Sequence, residues 1–480
     1  MSETILSPSL PPRSAEPPLV VDLDGTLIYS DTLWESLLLF LKLHFRHAWR
    51  LPFWLLRGKA GFKQQIALYV QPDPATLPYD RTLLEAIAAE REAGRLIVLA
   101  TGSQRALADS IAAHLKLFDH VLATEDVNMN SSNKAGALVK LYGDKGFDYV
   151  GNAHVDIPVW HAARGPYSVT ARPFKLPDGR HTRNMGSPRG NALRALFKAM
   201  RPRQWLKNLL VFVPMLAGHA LTASALTQSL LAFAAFSLCA SSAYLLNDAL
   251  DAHDDRLHPI KRKRPIAAGS LPLSLAMAAS PLLAVVALLL AWTAGPAALG
   301  MLLIYFASTL AYSFTLKRIM MIDIVTLAML YTLRIIGGGA ATGIWPSFWL
   351  LTFSFFIFLS LALLKRYSEL FNLKRAGKER TRGRGYMVSD KAPIAMMGVN
   401  SGFMSVLVFI LYFNSANVLV QYRHPDWLLG AVPLLVFWLG RLWILAFRGE
   451  IHEDPVLYVS KDKTSLAVIA CCVALVMLAV

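Results

Sequence analysis

The chain has 480 residues, 55% hydrophobic and only 17% charged, a balance that excludes an ordinary soluble enzyme. Its formal charge of +16 is uneven: residues 1 to 190 hold 21 Lys+Arg against 19 Asp+Glu, and residues 191 to 480 hold 27 against 13, so +14 belongs to the apolar half. Basic charge on apolar sequence fits anionic lipid or phosphorylated substrates and argues against nucleic acid, whose binders carry basic faces on polar domains. Cys239, Cys471 and Cys472 lie in apolar runs without metal-ligand spacing, so neither a disulfide framework nor a zinc site is implied.

Residues 1 to 18, rich in Ser and Pro, lack the apolar core of a secretory signal; a disordered leader and a cytoplasmic first domain are expected. From Leu19 to Lys175, short apolar runs alternate with amphipathic stretches. Leu19-Val20-Val21-Asp22 and Leu96-Ile97-Val98-Leu99-Ala100 read as buried parallel strands ending in polar residues, so an α/β sheet with ligands at the strands' carboxyl ends is predicted over 19 to 175. Residues 31 to 80 read as a helical cap. Its Trp34, Phe45, Trp49, Phe53 and Trp54 suit either a bilayer surface or packing within the cap. Residues 176 to 200 form a breaker-rich linker followed by a basic amphipathic helix, whose pattern runs over 191 to 204, suited to the membrane surface.

About nine apolar stretches follow, near residues 206 to 220, 227 to 247, 271 to 293, 296 to 313, 321 to 340, 346 to 366, 398 to 419, 426 to 447 and 464 to 480. Most reach the roughly 20 residues a spanning helix needs. Loops after the even-numbered stretches carry the Lys and Arg, and the others carry only Arg423. The positive-inside rule then puts the basic loops and the N-terminal domain in the cytoplasm and Val480 outside, in a multi-pass inner (plasma) membrane protein. The basic run from Lys365 to Arg384 reads as a solvated, lipid-facing loop.

In Val20-Val21-Asp22-Leu23-Asp24-Gly25-Thr26, two carboxylates two residues apart follow a buried strand. The run resembles the opening motif of the haloacid dehalogenase (HAD) superfamily. Ala100-Thr101-Gly102-Ser103, Lys134 and Gly151-Asn152-Ala153-His154-Val155-Asp156 resemble its later motifs in order. The resemblance implies a Rossmann-like α/β phosphatase domain in which Asp22 is the nucleophile, Asp24 the general acid and base, Thr101 and Lys134 hold phosphoryl oxygens, and Asp22, Asp24 and Asp156 hold Mg²⁺. A carboxylate beside Mg²⁺ and a lysine can attack phosphorus while ionised at neutral pH. The fourth motif departs from the usual Gly-Asp at Asn152, which removes one charge from the metal site.

The second apolar stretch runs into Asn247-Asp248-Ala249-Leu250-Asp251-Ala252-His253-Asp254-Asp255. On a continuous helix, Asp248, Asp251 and Asp255 share one face. Like charges at a membrane boundary call for a divalent cation, and Mg²⁺ bridging to a diphosphate fits. These residues, with Lys261 to Arg264 and Pro265 beyond, resemble the first signature of the UbiA superfamily of intramembrane prenyltransferases, over residues 201 to 480. Arg201-Pro202-Arg203-Gln204-Trp205-Leu206-Lys207-Asn208 and Tyr312-Ser313-Phe314-Thr315-Leu316-Lys317 followed by Asp323 resemble its decaprenyl-phosphate phosphoribosyltransferase branch. That likeness implies phosphoribosyl diphosphate as donor, polyprenyl phosphate as acceptor, Mg²⁺ on Asp248, Asp251, Asp255 and Asp323, and substrate contacts from Lys207, Asn208, Asn247, Lys261, Arg264, Tyr312, Lys317 and Arg334. Asp323 and Arg334, 11 residues apart, are expected on one side of a helix, with Arg334 lining the cavity.

Together the halves imply transfer of phosphoribose to the lipid, then removal of its 5-phosphate by the HAD domain, giving polyprenyl-phosphoryl ribose for cell-envelope glycan synthesis. Prenyl transfer from a polyprenyl diphosphate to an aromatic acceptor is the alternative reading. A transporter is the reading from another class, although an acidic cluster at a helix end beside a basic loop favours catalysis over a midplane transport site. The expected partners are both substrates and the lipid bilayer, with no nucleic acid; homo-oligomerisation is left open.

Overall fold

The computed structural model describes residues 16–124, 129, 131–187, 190–381, 384–413, 422–452 and 454–480. The leader up to residue 15, and the seventh apolar stretch beyond residue 413, therefore lie outside the described residues. Contacts divide the chain into two compact units: Met1–Ala199 with Leu245–Ala279, and Met200–Tyr244 with Ser280–Val480.

The first unit is built on six strands, β1 (Leu19–Val21), β2 (Ile97–Gln104), β3 (His120–Thr124), β4 (Asp148–Gly151), β5 (Pro166–Ser168) and β6 (Arg183–Asn184), in the order β3-β2-β1-β4-β5-β6. Every pairing is parallel; Val20 sits opposite Val98 on one side and Tyr149 on the other. β1 is central and all three of its residues are fully buried, as expected of a strand flanked and covered on both faces. One face packs Leu19, Val21 and Leu99 with Leu83, Ile87 and Ile111; the other packs Val20, Val98 and Tyr149 with Leu138, Val159 and Trp160. This is the α/β architecture expected from the sequence.

Between β1 and β2 the chain inserts α1 (Thr32–Leu43), α2 (Leu51–Leu55) and α3 (Gly58–Ala67) before α4 (Arg81–Glu92) returns to the sheet. Asp31 caps α1 by accepting from the amides of Leu33 and Trp34, satisfying donors that a helix start otherwise leaves unpaired. The cap aromatics divide: Trp54 is buried with Phe40, Phe62 and Ile66, while Trp49 and Phe53 remain 63% and 60% exposed. α5 (Arg105–Leu115), α6 (Ser131–Tyr142) and α7 (Ile157–Ala162) complete the layers. The segment Leu245–Ala279 belongs to this unit; its Gly269 has φ +74, and a Cβ there would lie 2.4 Å from Cβ of Tyr29, so only glycine permits this approach.

The expected helix over 191 to 204 is shorter. It runs as α8 (Ala192–Ala199) and stops because Arg201 turns left-handed (φ 57) and Pro202 opens a 3-10 helix to Phe212, followed by α9 (Val213–Ala217). Among the described residues, seven helices are long and apolar enough to cross a membrane. They comprise α10 (Ala223–Leu250), α12 (Leu273–Thr293), α13 (Pro296–Phe314), α14 (Ile322–Thr342), α15 (Phe348–Arg375), α16 (Lys391–Phe413) and α17 (Ala431–Phe447), with short turns extending the last two at their starts; α11 (Ala252–Leu257) and α18 (Pro455–Val459) are short, and α19 (Lys463–Ala479) is a 17-residue apolar helix. The expected nine stretches thus divide into seven long helices, the 3-10 stretch and α19.

The 3-10 stretch nevertheless runs antiparallel along α10. Trp205 Nε1 donates to Ser241 Oγ (3.0 Å), Asn208 Nδ2 to Ser237 Oγ (3.0 Å), the Phe212 ring lies tilted against Phe233 (centroids 6.0 Å apart), and Ser229 reaches Met215 Sδ (4.0 Å). Ten residues of this stretch thus keep pace with twelve of α10, a rise of roughly 1.8 Å per residue, between the values for α and 3-10 helix. It packs closely on α14 as well, where a Cβ on Gly338 would lie 2.0 Å from the Val211 carbonyl oxygen.

Candidate active sites

In the first unit the four HAD-like motifs meet at the carboxyl ends of the strands, where α/β sheets bind ligands. Asp22 follows β1 and is buried; its Oδ1 accepts from Lys134 Nζ on α6 (2.6 Å) and its Oδ2 from Thr26 Oγ1 (3.2 Å). Burial, with the charge of Asp156 and against that of Lys134, pushes the Asp22 carboxyl up to about 6. Asp24 accepts from the Thr32 amide (2.7 Å) and Ser103 Oγ (2.7 Å), so the start of α1 and the end of β2 fix its orientation. Thr101 Oγ1 accepts from the Ser103 amide (3.0 Å). Asp156 takes Tyr149 Oη (3.0 Å) on one oxygen and the amides of Asn152 (3.0 Å) and Ala153 (3.1 Å) on the other. Asn152 therefore supports Asp156 through its backbone. Asp22 lies within electrostatic reach of Asp24 and of Asp156, and carboxylate oxygens are the hard donors that Mg²⁺ takes.

The acidic run after α10 is not one helix. Asp251 (φ −94, ψ 5) interrupts it and precedes α11. Asp248 and Asp255 converge: Arg264 donates through the same nitrogen to Asp248 Oδ1 (3.0 Å) and Asp255 Oδ2 (2.6 Å), and Lys261 lies 3.8 Å from Asp255. Asp251 instead pairs with Lys42 of the cap (2.9 Å), which also binds Asp254 (2.8 Å). The expected single face of three aspartates is thus a converging pair and a third residue held elsewhere, and among the described residues no three His, Cys, Asp or Glu side chains form a metal cluster. A guanidinium nitrogen shared by Asp248 and Asp255 places a cation between two carboxylates, whose oxygens are the hard donors that a divalent ion takes. Burial pushes the Asp255 carboxyl up, against the opposing pull of Arg264 and Lys261. Asn247, one residue before Asp248, lies in the last turn of α10.

In the second unit Arg334 and Asp323 do not act together. Arg334 Nε donates to Asn208 Oδ1 (2.7 Å), and its Nη2 to Tyr305 Oη (2.7 Å). Asp323 accepts from Arg366 (2.5 Å) and from the Tyr386 hydroxyl. Lys207 pairs with Asp454 (2.9 Å), which also takes Lys365 (3.0 Å). Burial alone would raise the Asp454 carboxyl, but Lys365 and Lys207 outweigh it and hold it well below the usual carboxylate range. Tyr312 is half-buried on α13, within electrostatic reach of Lys365, Arg366 and Asp323, and Lys317 lies in the following turn, Leu316–Arg318.

The expectation of a solvated loop from Lys365 to Arg384 is corrected here. α15 continues to Arg375, and Lys365 and Arg366 are consumed in ion pairs, Arg366 being 1% exposed. Lys42, Arg366, Tyr386 and Asp454, which pair with the expected site residues Asp251, Asp323 and Lys207, were not legible in the sequence. Asp454 carried the one usable signal, an acid directly before Pro455, which is a helix N-cap pattern; it caps α18 through the Val456 amide.

A carboxylate site on a parallel sheet and a second at the end of a long apolar helix point to a membrane enzyme with a hydrolase-like head. The UbiA prenyltransferase family matches residues 211–478 and the haloacid dehalogenase-like hydrolase family residues 19–160. The chain belongs to the UbiA prenyltransferase family and carries a HAD-like domain at its N-terminus. It is 34% identical to the protein y4nM of Sinorhizobium fredii over 456 residues, 93% of this chain and 88% of that one. It is 42% identical to the decaprenyl-phosphate phosphoribosyltransferase of Mycolicibacterium smegmatis over 283 residues, 58% of this chain and 89% of the relative. A solved UbiA homolog from Archaeoglobus fulgidus, bound to GPP and Mg²⁺, covers 59% of this chain and 99% of its own at 17% identity, with a TM-score of 0.46.

Proposed function

We propose that residues 201–480 transfer phosphoribose from phosphoribosyl diphosphate to a polyprenyl phosphate and that residues 19–175 then remove the 5-phosphate, giving polyprenyl-phosphoryl ribose. The observation that carries this reading is the presence on one chain of two separate carboxylate sites, the Asp248–Asp255 pair and the Asp22–Lys134 pair. The phosphoribosyltransferase relative supports the choice of donor and acceptor.

In the transferase step a phosphate oxygen of the lipid forms a bond to ribose C1 as the bond from C1 to the diphosphate oxygen breaks, and diphosphate leaves. Asp248, Asp251 and Asp255 would hold Mg²⁺, which would supply neutralisation of the leaving diphosphate; Asp323, expected to join them, is paired with Arg366 and Tyr386 instead. Arg264, Lys261 and Asn247 serve the donor's phosphates. Lys207, Asn208, Tyr312, Lys317 and Arg334 are assigned to the phosphate-bearing substrates, with Arg334 oriented by Tyr305 and Asn208.

In the phosphatase step an Asp22 oxygen attacks the 5-phosphate to form an aspartyl phosphate, and Asp24 gives a proton to the departing ribose oxygen. Water then cleaves the acyl phosphate, with Asp24 taking its proton. Lys134 and Thr101 hold the phosphoryl oxygens, and Asp22, Asp24 and Asp156 would hold a second Mg²⁺. Both steps take place at the cytoplasmic face of the inner membrane, with Val480 outside.

Mass spectrometry of the lipid product from purified protein, phosphoribosyl diphosphate, Mg²⁺ and polyprenyl phosphate tests both steps at once. Wild-type protein is expected to yield the dephosphorylated ribosyl lipid. Asp22→Asn is expected to accumulate the 5-phosphorylated lipid, with dephosphorylation slowed at least about a hundredfold. Equal products from both proteins would sink the phosphatase assignment. Reaction only with a polyprenyl diphosphate and an aromatic acid would move the transferase to the alternative chemistry.

A further inference from the structure

The cap helix α1 touches both carboxylate sites of the first unit. At its start the Thr32 amide binds Asp24 (2.7 Å). One turn on, Glu35 takes Arg256 of α11 through both carboxylate oxygens (3.0 and 2.5 Å), with side chains 6% and 8% exposed. At its end Lys42 binds Asp251 and Asp254 (2.9 and 2.8 Å). Glu35 and Lys42 are seven residues apart, two helical turns, so they share one face.

We infer that Glu35 and Lys42 set the position of Asp251: Glu35 anchors the segment through Arg256, and Lys42 holds Asp251 apart from the Asp248–Asp255 pair, so that a divalent cation drawing Asp251 into the motif frees the end of α1. This rests on the reading of the motif as a cation and diphosphate site. The Glu35–Arg256 pair is the stronger anchor, since a buried, bidentate guanidinium–carboxylate contact is costly to break from one side. The Lys42 contacts are partly exposed, Asp254 being 67% exposed, and such pairs yield readily to a competing cation. Occupation of one site thereby loosens the helix whose other end orients Asp24.

The test uses the full chain in detergent with Mn²⁺ as probe. Electron paramagnetic resonance titration first identifies the Mn²⁺ site lost in Asp251→Asn. At that site Lys42→Met is expected to tighten binding roughly two- to fivefold, the worth of a partly exposed ion pair, and Lys42→Arg to restore wild-type affinity. In unmodified protein, Mn²⁺ with inorganic pyrophosphate is expected to speed amide exchange over residues 38–43 while that around Glu35 stays slow. Unchanged affinity in Lys42→Met, or unchanged exchange in the wild type should the variant fail to fold, overturns the inference alone. Mn²⁺ binding indifferent to Asp251→Asn overturns it together with the reading of the motif.

Discussion

An arginine in an apolar body is stable only where something meets its charge. Arg366 is met by Asp323 at 2.5 Å, and the two side chains are 1% and 0% exposed. Removing either partner leaves a buried charge uncompensated, at a cost of about 3–5 kcal/mol, whereas removing both together costs far less. Arg366→Met and Asp323→Asn are each expected to lower the unfolding temperature in detergent sharply. The double variant is expected to recover much of the loss, which scanning fluorimetry of all four proteins measures as a coupling energy. Additive losses would mean that the pair contributes no more than its separate residues. The same pair marks where the sequence stops being readable. Asp22 was singled out by the buried strand before it, and Thr101, Lys134 and Asp156 through the resemblance of their short local motifs to the HAD superfamily. The partners of Asp323 and Asp251 were not, since they lie 43 and 209 residues away and charge alone does not say which cation is chosen.

Element identity was legible wherever a long apolar run leaves a helix as the one structure that satisfies its backbone in lipid. The stretch from Pro202 to Ala217 is different, because its apolar pattern fits both helix types and its rise is set by the elements beside it. α14 supplies one of these: Gly337, Gly338 and Gly339 would set a Cβ 2.4 Å from Phe236, 2.0 Å from the Val211 carbonyl and 2.7 Å from Pro346, the close approach that small residues allow between membrane helices. A methyl at Gly338 must push that backbone away, and Lys207 and Asn208 move with it. Gly338→Ala is expected to cost about 1–3 kcal/mol and to raise KM for the acceptor lipid more than it lowers kcat. Gly300→Ala, on α13 with nothing within 4 Å, is the matched control and is expected to leave kinetics unchanged and stability the same or slightly higher. Equal behaviour of the two variants would show that the approach to Val211 is not limiting. The end of the acidic helix misled the sequence reading for a related reason: seven-residue periodicity cannot reveal that Asp251 leaves the helix to pair with a lysine of the cap.

At the scale of the whole chain, the charge that first set the apolar half apart has two uses. Part is spent inside ion pairs: Lys207 and Lys365 on Asp454, Arg366 on Asp323, and Arg264 on Asp248 and Asp255. These cations serve packing and the sites, so their number overstates what is left to orient the helices. The remainder lies on exposed turns such as Lys374 and Lys378, just after α15 enters its last turn, and cations there favour the side of the membrane from which they need not be moved. The loop between α14 and α15 holds Trp345, 66% exposed, and no Lys or Arg. Because α15 connects the two positions, they must lie on opposite faces if it spans the bilayer. In a chain with Cys239, Cys471 and Cys472 replaced by serine or alanine, a single cysteine at Trp345 is expected to react with an impermeant maleimide in intact cells. One at Lys378 is expected to react only after the membrane is opened. The reverse pattern would invert the orientation and place both carboxylate sites outside, away from phosphoribosyl diphosphate; labelling of both positions in intact cells would mean that α15 does not span.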